Sequence, residues 1–324
     1  MIGVVIACLI SAQTLAATGN EDDVWYIGDL DPSIVQFDSR KSNLDFAICK
    51  RTSKDTYIIQ KLLQRRPLCL ARHKGQLWFV SNDTRGFSVY DLFIPKKSEP
   101  TQGRTSMKWT VNINAVATDM VVYDDNLVVC CGEECLVLLA FIGNSFIELP
   151  VLCEQPNARV VNVDGHLVAA VPSDLGVTLW TLTDAEWVIG NTIALQGSFT
   201  QIITKDGMIL LVSQEEQQGH ILGIQLEIPI EIAAFDIPKG RWSVVPSPQG
   251  LSVIGVERNG TTTVIDIGWP SGKTSEAIEL YQDTRHLPSV FTRYPILLAA
   301  LLVSVFLFLR LRRSIAKKAK KEGF

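Results

Sequence analysis

The phrase "DGHLVAAV" at Asp164 returns forty-two residues later as "DGMILLVS" at Asp206. In each, a turn pair that tolerates positive φ leads into a short apolar run, and a second alternating run follows about ten residues on. Six places fit this description. The first runs begin at Val24 ("VWYIG"), Leu77 ("LWFVS"), Leu127 ("LVVCCG"), Leu167 ("LVAAV"), Ile209 ("ILLVS") and Leu251 ("LSVIGV"), at intervals of 53, 50, 40, 42 and 42 residues. Their partners are "SIVQFD" from Ser33, "FSVYDL" from Phe87, "LVLLAF" from Leu136, "VTLWTL" from Val177, "ILGIQL" from Ile221 and "TVIDIG" from Thr263. Each pair reads as a β-hairpin. β-branched and aromatic residues dominate the runs, and no long 3.6-residue pattern competes with them.

A single four-stranded sheet cannot bury both of its apolar faces, whereas sheets packed radially cover one another. A period of 40 to 53 residues with about four strands therefore predicts an all-β fold, a β-propeller. Six repeats match the available length. Seven blades is the alternative count, because the long interval from Val24 to Leu77 has room for a degenerate blade, and a pair of β-sandwiches is the alternative architecture. The run "DDVWYIG" is expected to add a strand to the blade formed by "GTTTVIDIGW", which would close the ring between the chain termini.

A further run with a tryptophan near its start often follows: "MKWTVNI" at Met107, "AEWVIG" at Ala185 and "GRWSVV" at Gly240. In the fifth repeat, Phe235 and Asp236 precede Trp242 by seven and six residues. That spacing resembles degenerate kelch-type propeller repeats. The resemblance implies that Phe235 and Trp242 pack between blades.

Both ends of the chain point to a membrane. Residues 1–17, "MIGVVIACLISAQTLAA", are apolar and uncharged, and end in small residues suited to a signal peptidase. The alternative is an uncleaved N-terminal anchor, since no basic residue precedes the apolar run. Residues 294–311 begin with "YPILLAALLVSVFLFL", uncharged between Arg293 and Arg310, and read as one spanning helix if the flanking Arg310, Arg312 and Arg313 snorkel. The basic tail, 312–324, is then cytoplasmic. This predicts an ectodomain over 18–288, a juxtamembrane linker over 289–293, and an extracytoplasmic location in a periplasm, on a cell surface or in a lumen.

Residues 310–324 carry seven basic residues and one acid, so the whole-chain net charge of −4 leaves −10 on residues 1–309. An acidic ectodomain argues against nucleic acid as a partner. Within it, Arg40 to Lys74 holds ten basic residues against Asp45 and Asp55, read as a solvated insertion or as a face for an anionic partner. Inside that block "YIIQKLLQRR" has apolar residues at Ile58, Ile59, Leu62 and Leu63, a spacing that predicts one short helix.

"CCGEEC" is the densest set of reactive side chains. In an oxidising compartment it predicts a cross-strand disulfide from Cys131 to Cys135, with buried free thiols as the alternative. No partner pair or neighbouring histidine completes a metal site, and no metal or cofactor is expected. His166 and His220 fall near hairpin starts and read as exposed turn residues. Asn82 ("NDT") and Asn259 ("NGT") fit the N-glycosylation pattern. The faces of Trp25, Trp78, Trp180 and Trp242 suit sugar rings, but their apolar surroundings place them in the core.

No catalytic motif is present. The reading that follows is a membrane-anchored propeller that binds a protein partner through its loops and is not an enzyme. The alternatives are a glycosidase- or lyase-like enzyme with carboxylates converging on the channel, and a small-ligand sensor.

Overall fold

The computed structural model describes residues 15–19, 24–29, 45–51, 56–63, 67–83, 86–93, 104–113, 115–131, 135–152, 158–225, 228–257, 260–280 and 282–283. All of them belong to one unit, Met1–Thr284. Residues 1–14, the segment 294–311, Arg293, Arg310, Arg312, Arg313 and the tail 312–324 lie outside the described residues. Among the described residues no helix is long and apolar enough to cross a membrane.

The strands form six separate sheets. Blade 1 holds β1 (Ala17–Gly19), β2 (Val24–Asp29), β3 (Asp45–Arg51) and β4 (Thr56–Leu63). Blade 2 holds β5 (Pro67–His73), β6 (Gln76–Asp83), β7 (Gly86–Phe93) and β8 (Arg104–Val111). Blade 3 holds β9 (Ala117–Tyr123), β10 (Asn126–Cys131), β11 (Val137–Ile142) and β12 (Ser145–Glu148). Blade 4 holds β13 (Arg159–Val163), β14 (His166–Ser173), β15 (Gly176–Thr183) and β16 (Glu186–Ile193). Blade 5 holds β17 (Ser198–Lys205), β18 (Met208–Glu215), β19 (Gln218–Gln225) and β20 (Ile228–Asp236). Blade 6 holds β21 (Arg241–Ser247), β22 (Gly250–Val256), β23 (Thr262–Gly268) and β24 (Ile278–Leu280). A final two-residue strand, β25 (Gln282–Asp283), runs parallel to β4.

The first strands neighbour one another in the order β1, β5, β9, β13, β17, β21 and back to β1. That closed ring defines a six-bladed β-propeller, and it excludes both the seventh blade and the sandwich pair. Described residues between Val24 and Leu77 form the rest of blade 1 and the first strand of blade 2.

The repeated phrase has a backbone cause. Lys74–Gly75, Asp124–Asp125, Asp164–Gly165 and Asp206–Gly207 join first to second strands, and all eight residues have positive φ. This is the two-residue hairpin turn whose twist matches that of the strands it joins. The second strand then runs between neighbouring blades and is covered on both faces: β10 and β22 are buried almost throughout. Apolar clusters fill the interfaces between successive blades from 1 to 6. Between blades 2 and 3 the fully buried Val80, Val89, Leu127 and Val129 each contribute about 1.5–3 kcal/mol by leaving water.

Closure differs from the sequence expectation. "VWYIG" is β2, a strand of blade 1, and its hairpin partner is Asp45–Arg51; "SIVQFD" lies outside the described residues. Blade 6 completes itself with β24, and the chain then returns to add β25 to the outer edge of blade 1. At the inner edge, Leu15 N–H donates to Trp242 O at 3.0 Å. Between these edges Tyr26 Oη donates to Thr262 Oγ1 at 3.1 Å. The expected domain boundary after residue 17 thus falls inside β1.

The helix expected at "YIIQKLLQRR" is instead β4, paired along its length with β3. Its Tyr57, Ile58 and Ile59 favour a strand, and two neighbouring strands supply the hydrogen bonds that an isolated helical turn would lack. Between blades 5 and 6, Phe235 meets Trp242 edge-on with centroids 5.7 Å apart. Trp109 and Trp187 stand on fourth strands and Trp242 on a first strand, so the tryptophan runs occupy two different places in the blades.

Candidate functional site

The described turns between first and second strands open on one face of the ring. At the junction of blades 2 and 3 they bound a cleft of about 220 Å³. The end of β5 supplies His73 and its turn Lys74, the start of β6 supplies Gln76, the turn after β9 supplies Asp125, and the start of β10 supplies Asn126. The wall is aromatic. Trp78 stacks on Trp109 with centroids 5.4 Å apart, and Trp109 leans on Phe141 at 4.8 Å. Trp78 and Phe141 are buried, whereas Trp109 remains half-buried because β8 is the outermost strand of its blade.

The electrostatics of the rim cancel. Lys74 Nζ lies 2.7 Å from a carboxylate oxygen of Asp125, joining the two blades. That hydrogen bond and charge hold the Asp125 carboxyl below its usual range. Burial, and then the Lys74 charge, push His73 down, so its ring is neutral at pH 7. Among the described residues the indole N–H of Trp78 is buried with no acceptor.

A second group lies on the inner strands. Asp119 of β9 accepts Met120 N–H at 2.8 Å. Burial raises its carboxyl above the usual range against the opposing charge of Arg159. Arg159 donates to Thr118 O at 2.8 Å. The charged and titratable neighbours of Asp119 are thus a guanidinium and the thiols of Cys69 and Cys130. Glycoside hydrolysis asks for two carboxyl groups about 5–10 Å apart, and among the described residues this group has one.

The residues singled out from sequence are scattered. Cys131 and Cys135 are free thiols in the structure. Cys131 pairs across the hairpin with Val137, which leaves Cys135 two residues beyond its register position. Asn82 is the penultimate residue of β6, and its Oδ1 accepts Ala117 N–H at 3.2 Å; Asn259 lies outside the described residues. His166 is exposed as expected, but His220 is buried, with Nδ1 3.3 Å from Glu231 Oε1. Trp25, Trp78 and Trp242 are core residues and Trp180 is half-buried.

Of the basic block, Arg40, Lys41, Lys54, Arg65 and Arg66 lie outside the described residues, and the described members are not set apart from the ring. Arg51 reaches blade 6, Lys50 lies over the Trp25 ring at 5.2 Å, and Lys74 belongs to the cleft. Sequence reasoning missed Trp109 as a site residue, since nothing in its strand's pattern sets it apart. Among the described residues no group of His, Cys, Asp and Glu could hold a metal ion.

Fold and site define the class: a six-bladed β-propeller with a small aromatic cleft between two blades. Neither a family model nor a curated protein matches the chain. Solved structures do. The Aleuria aurantia lectin, in complex with Fucα1-6GlcNAc, aligns with a TM-score of 0.58 at 9% identity over 82% of this chain and 96% of that one. A further structure of the same lectin, described as a six-bladed β-propeller with a novel fucose recognition mode, gives 0.57 at 8% identity, over 82% of this chain and 96% of that one. The tricorn protease gives 0.52 at 10% identity over 82% of this chain and 26% of that one. At such identities the likeness establishes the fold alone.

Proposed function

We propose that this chain is a membrane-anchored, extracytoplasmic propeller that serves as a binding scaffold for a protein partner. In this reading residues 294–311 cross the membrane, the basic tail 312–324 faces the cytoplasm, and the ring presents its rim to the partner. The observation that carries the binding role is the outer rim of blades 3 to 5. There the fourth strands β12, β16 and β20 expose Phe146, Ile147, Val188, Ile189, Ile228 and Ile230, with Ile189 61% and Ile228 64% accessible.

An outermost strand has one unpaired edge, and apolar side chains on such an edge make a template for an added strand. Blade 1 has its outer edge covered by β25, so the chain already uses strand addition once. The expected occupant of the rim is an extended segment of the partner. The Aleuria aurantia lectin, on the same fold, recognises fucose, which supports a binding role for such a ring.

The test is site-specific photo-crosslinking from Ile189 and Ile230 in the full chain within its own membranes. One discrete adduct is expected from both positions, lost in the Ile189→Lys, Ile230→Lys double variant with folding intact. No adduct at either position, or an adduct indifferent to the added charges, would overturn the rim as the binding surface. Protease protection of a C-terminal epitope on sealed membranes tests the topology separately.

A further inference from the structure

We propose that the cleft between blades 2 and 3 binds a neutral sugar ring, with Trp109 as its stacking platform and Gln76 and Asn126 as hydroxyl partners. This proposal is independent of the rim reading.

Four features of the cleft select that ligand chemistry. The first is its wall. Trp78, Trp109 and Phe141 form a continuous aromatic series, and Trp109 is the member that is both part of the wall and half-open to solvent. The part of the indole that Trp78 and Phe141 leave uncovered, lying beside polar groups, suits a ring with an apolar C–H face and a polar edge. A wholly apolar ligand would strip water from Gln76 and Asn126 without replacing it.

The second is charge. Lys74 and Asp125 satisfy each other at 2.7 Å, and His73 is neutral, so neither an anion nor a cation gains at the rim. The third is the orphan donor. Trp78 is only 9% exposed, lines the cleft, and has no acceptor for its indole N–H. Buried donors are costly to leave unpaired, and a ligand hydroxyl supplies the acceptor if the Trp78 ring turns its covered N–H toward the cleft.

The fourth is size. A volume of about 220 Å³ is below the roughly 300–1,000 Å³ of pockets for drug-sized molecules and suits one ring. The site depends on two blades at once. Gln76 and Trp109 come from blade 2 and Asn126 and Phe141 from blade 3, and the Lys74–Asp125 pair fixes their separation.

The experiment uses the full chain in detergent and a panel of methyl pyranosides: glucoside, galactoside, mannoside, fucoside and N-acetylglucosaminide. Glucuronic acid and glucosamine serve as charged controls. Binding is read by tryptophan fluorescence and by saturation-transfer NMR. At least one neutral glycoside is expected to bind saturably with a dissociation constant on the order of 1 mM, as befits a single small ring. Trp109→Ala is expected to abolish the response. Because that change also thins the blade, Gln76→Ala is the second variant, expected to weaken binding about tenfold with unfolding unchanged. No saturable response from any neutral glycoside, tighter binding of a charged sugar, or binding that survives both variants overturns the proposal.

Discussion

The guanidinium of Arg51, on the third strand of blade 1, clasps the carboxylate of Asp266, on the third strand of blade 6, through bonds of 2.8 and 2.7 Å across 215 positions of sequence. Ser252 joins from the neighbouring strand, accepting from Arg51 and donating to Asp266, both at 2.7 Å. Both charged side chains are largely shielded from water, at 12% and 17% exposure. This group fastens the last blade to the first, between the inner seal at Leu15 and the outer one at β25. Asp266→Ala leaves the guanidinium facing a desolvated gap. It is expected to lower unfolding stability by about 3 kcal/mol, read by equilibrium denaturation of the detergent-solubilised chain. A loss below about 0.5 kcal/mol, the range of ordinary surface substitutions, would sink the idea that this contact fastens the ring.

The same pair sets a pH dependence. Burial alone would raise the Asp266 carboxyl, but the hydrogen bonds from Arg51 and Ser252 and the Arg51 charge hold it below its usual value. A carboxyl depressed on folding adds stability that is fully present above its unfolded pKa of about 4 and is lost as pH falls through the folded value. The stability gap between the native chain and Asp266→Asn should therefore be constant above about pH 5 and close progressively below about pH 4. A gap that widens on acidification would show the opposite sign of linkage.

Phe235 packs over Gly219 of the neighbouring strand, and a Cβ built there would overlap its Cζ. Gly219→Ala is expected to displace Phe235 from its edge-on contact with Trp242 and to cost about 2–3 kcal/mol. Gly165→Ala is the comparison. It meets open space but sits at φ 85°, so its cost is conformational and about 1 kcal/mol. Adding Phe235→Leu to Gly219→Ala should recover part of the loss, a coupling that thermal unfolding of the four variants measures.

How much of this was legible follows from burial. Second strands such as β14 and β22 are covered by neighbouring blades on both faces, so they appear in sequence as unbroken apolar runs behind a turn. All six announced themselves that way. Fourth strands such as β12 and β16 are exposed nearly throughout and carry no such pattern. β1 has three residues and β25 two, too short for any periodicity, and these are the strands at the closure. The cleft was illegible for a related reason. Trp78 and Trp109 lie on different strands of one blade and Phe141 on another, and nothing in their spacing sets ring against ring.

The inner seal bears on how the N-terminus is processed. Leu15 is 2% exposed and Ala16 6%. Leu15 N–H bonds to Trp242 O, and Ala16 O accepts from Ile27 N–H. Removing residues up to 17 would take away both bonds and a fully buried leucine, worth about 2–3 kcal/mol. The N-terminus of the protein isolated from its host is therefore expected at or before Leu15, as intact-mass measurement can read. A mature chain beginning at Thr18 would mean that β1 is dispensable to the ring.

Thiol chemistry separates the two readings of "CCGEEC". Burial pushes the Cys131 thiol up to about 12, with the Glu148 charge adding to it. Burial likewise raises Cys69 and Cys130 well above the ordinary range, with the Asp119 charge contributing. The reactive species is the thiolate, so at pH 8 these three side chains are both covered and protonated. Cys135 is only half-buried. Among the described cysteines, a maleimide added to the folded chain without reductant should label Cys135 first. Cys69, Cys130 and Cys131 should react only at the rate of unfolding, as peptide mass mapping will show. If Cys135 and Cys131 both resist labelling until a reductant is added, the hairpin carries a bridge and its turn must shift from the register of Cys131 with Val137.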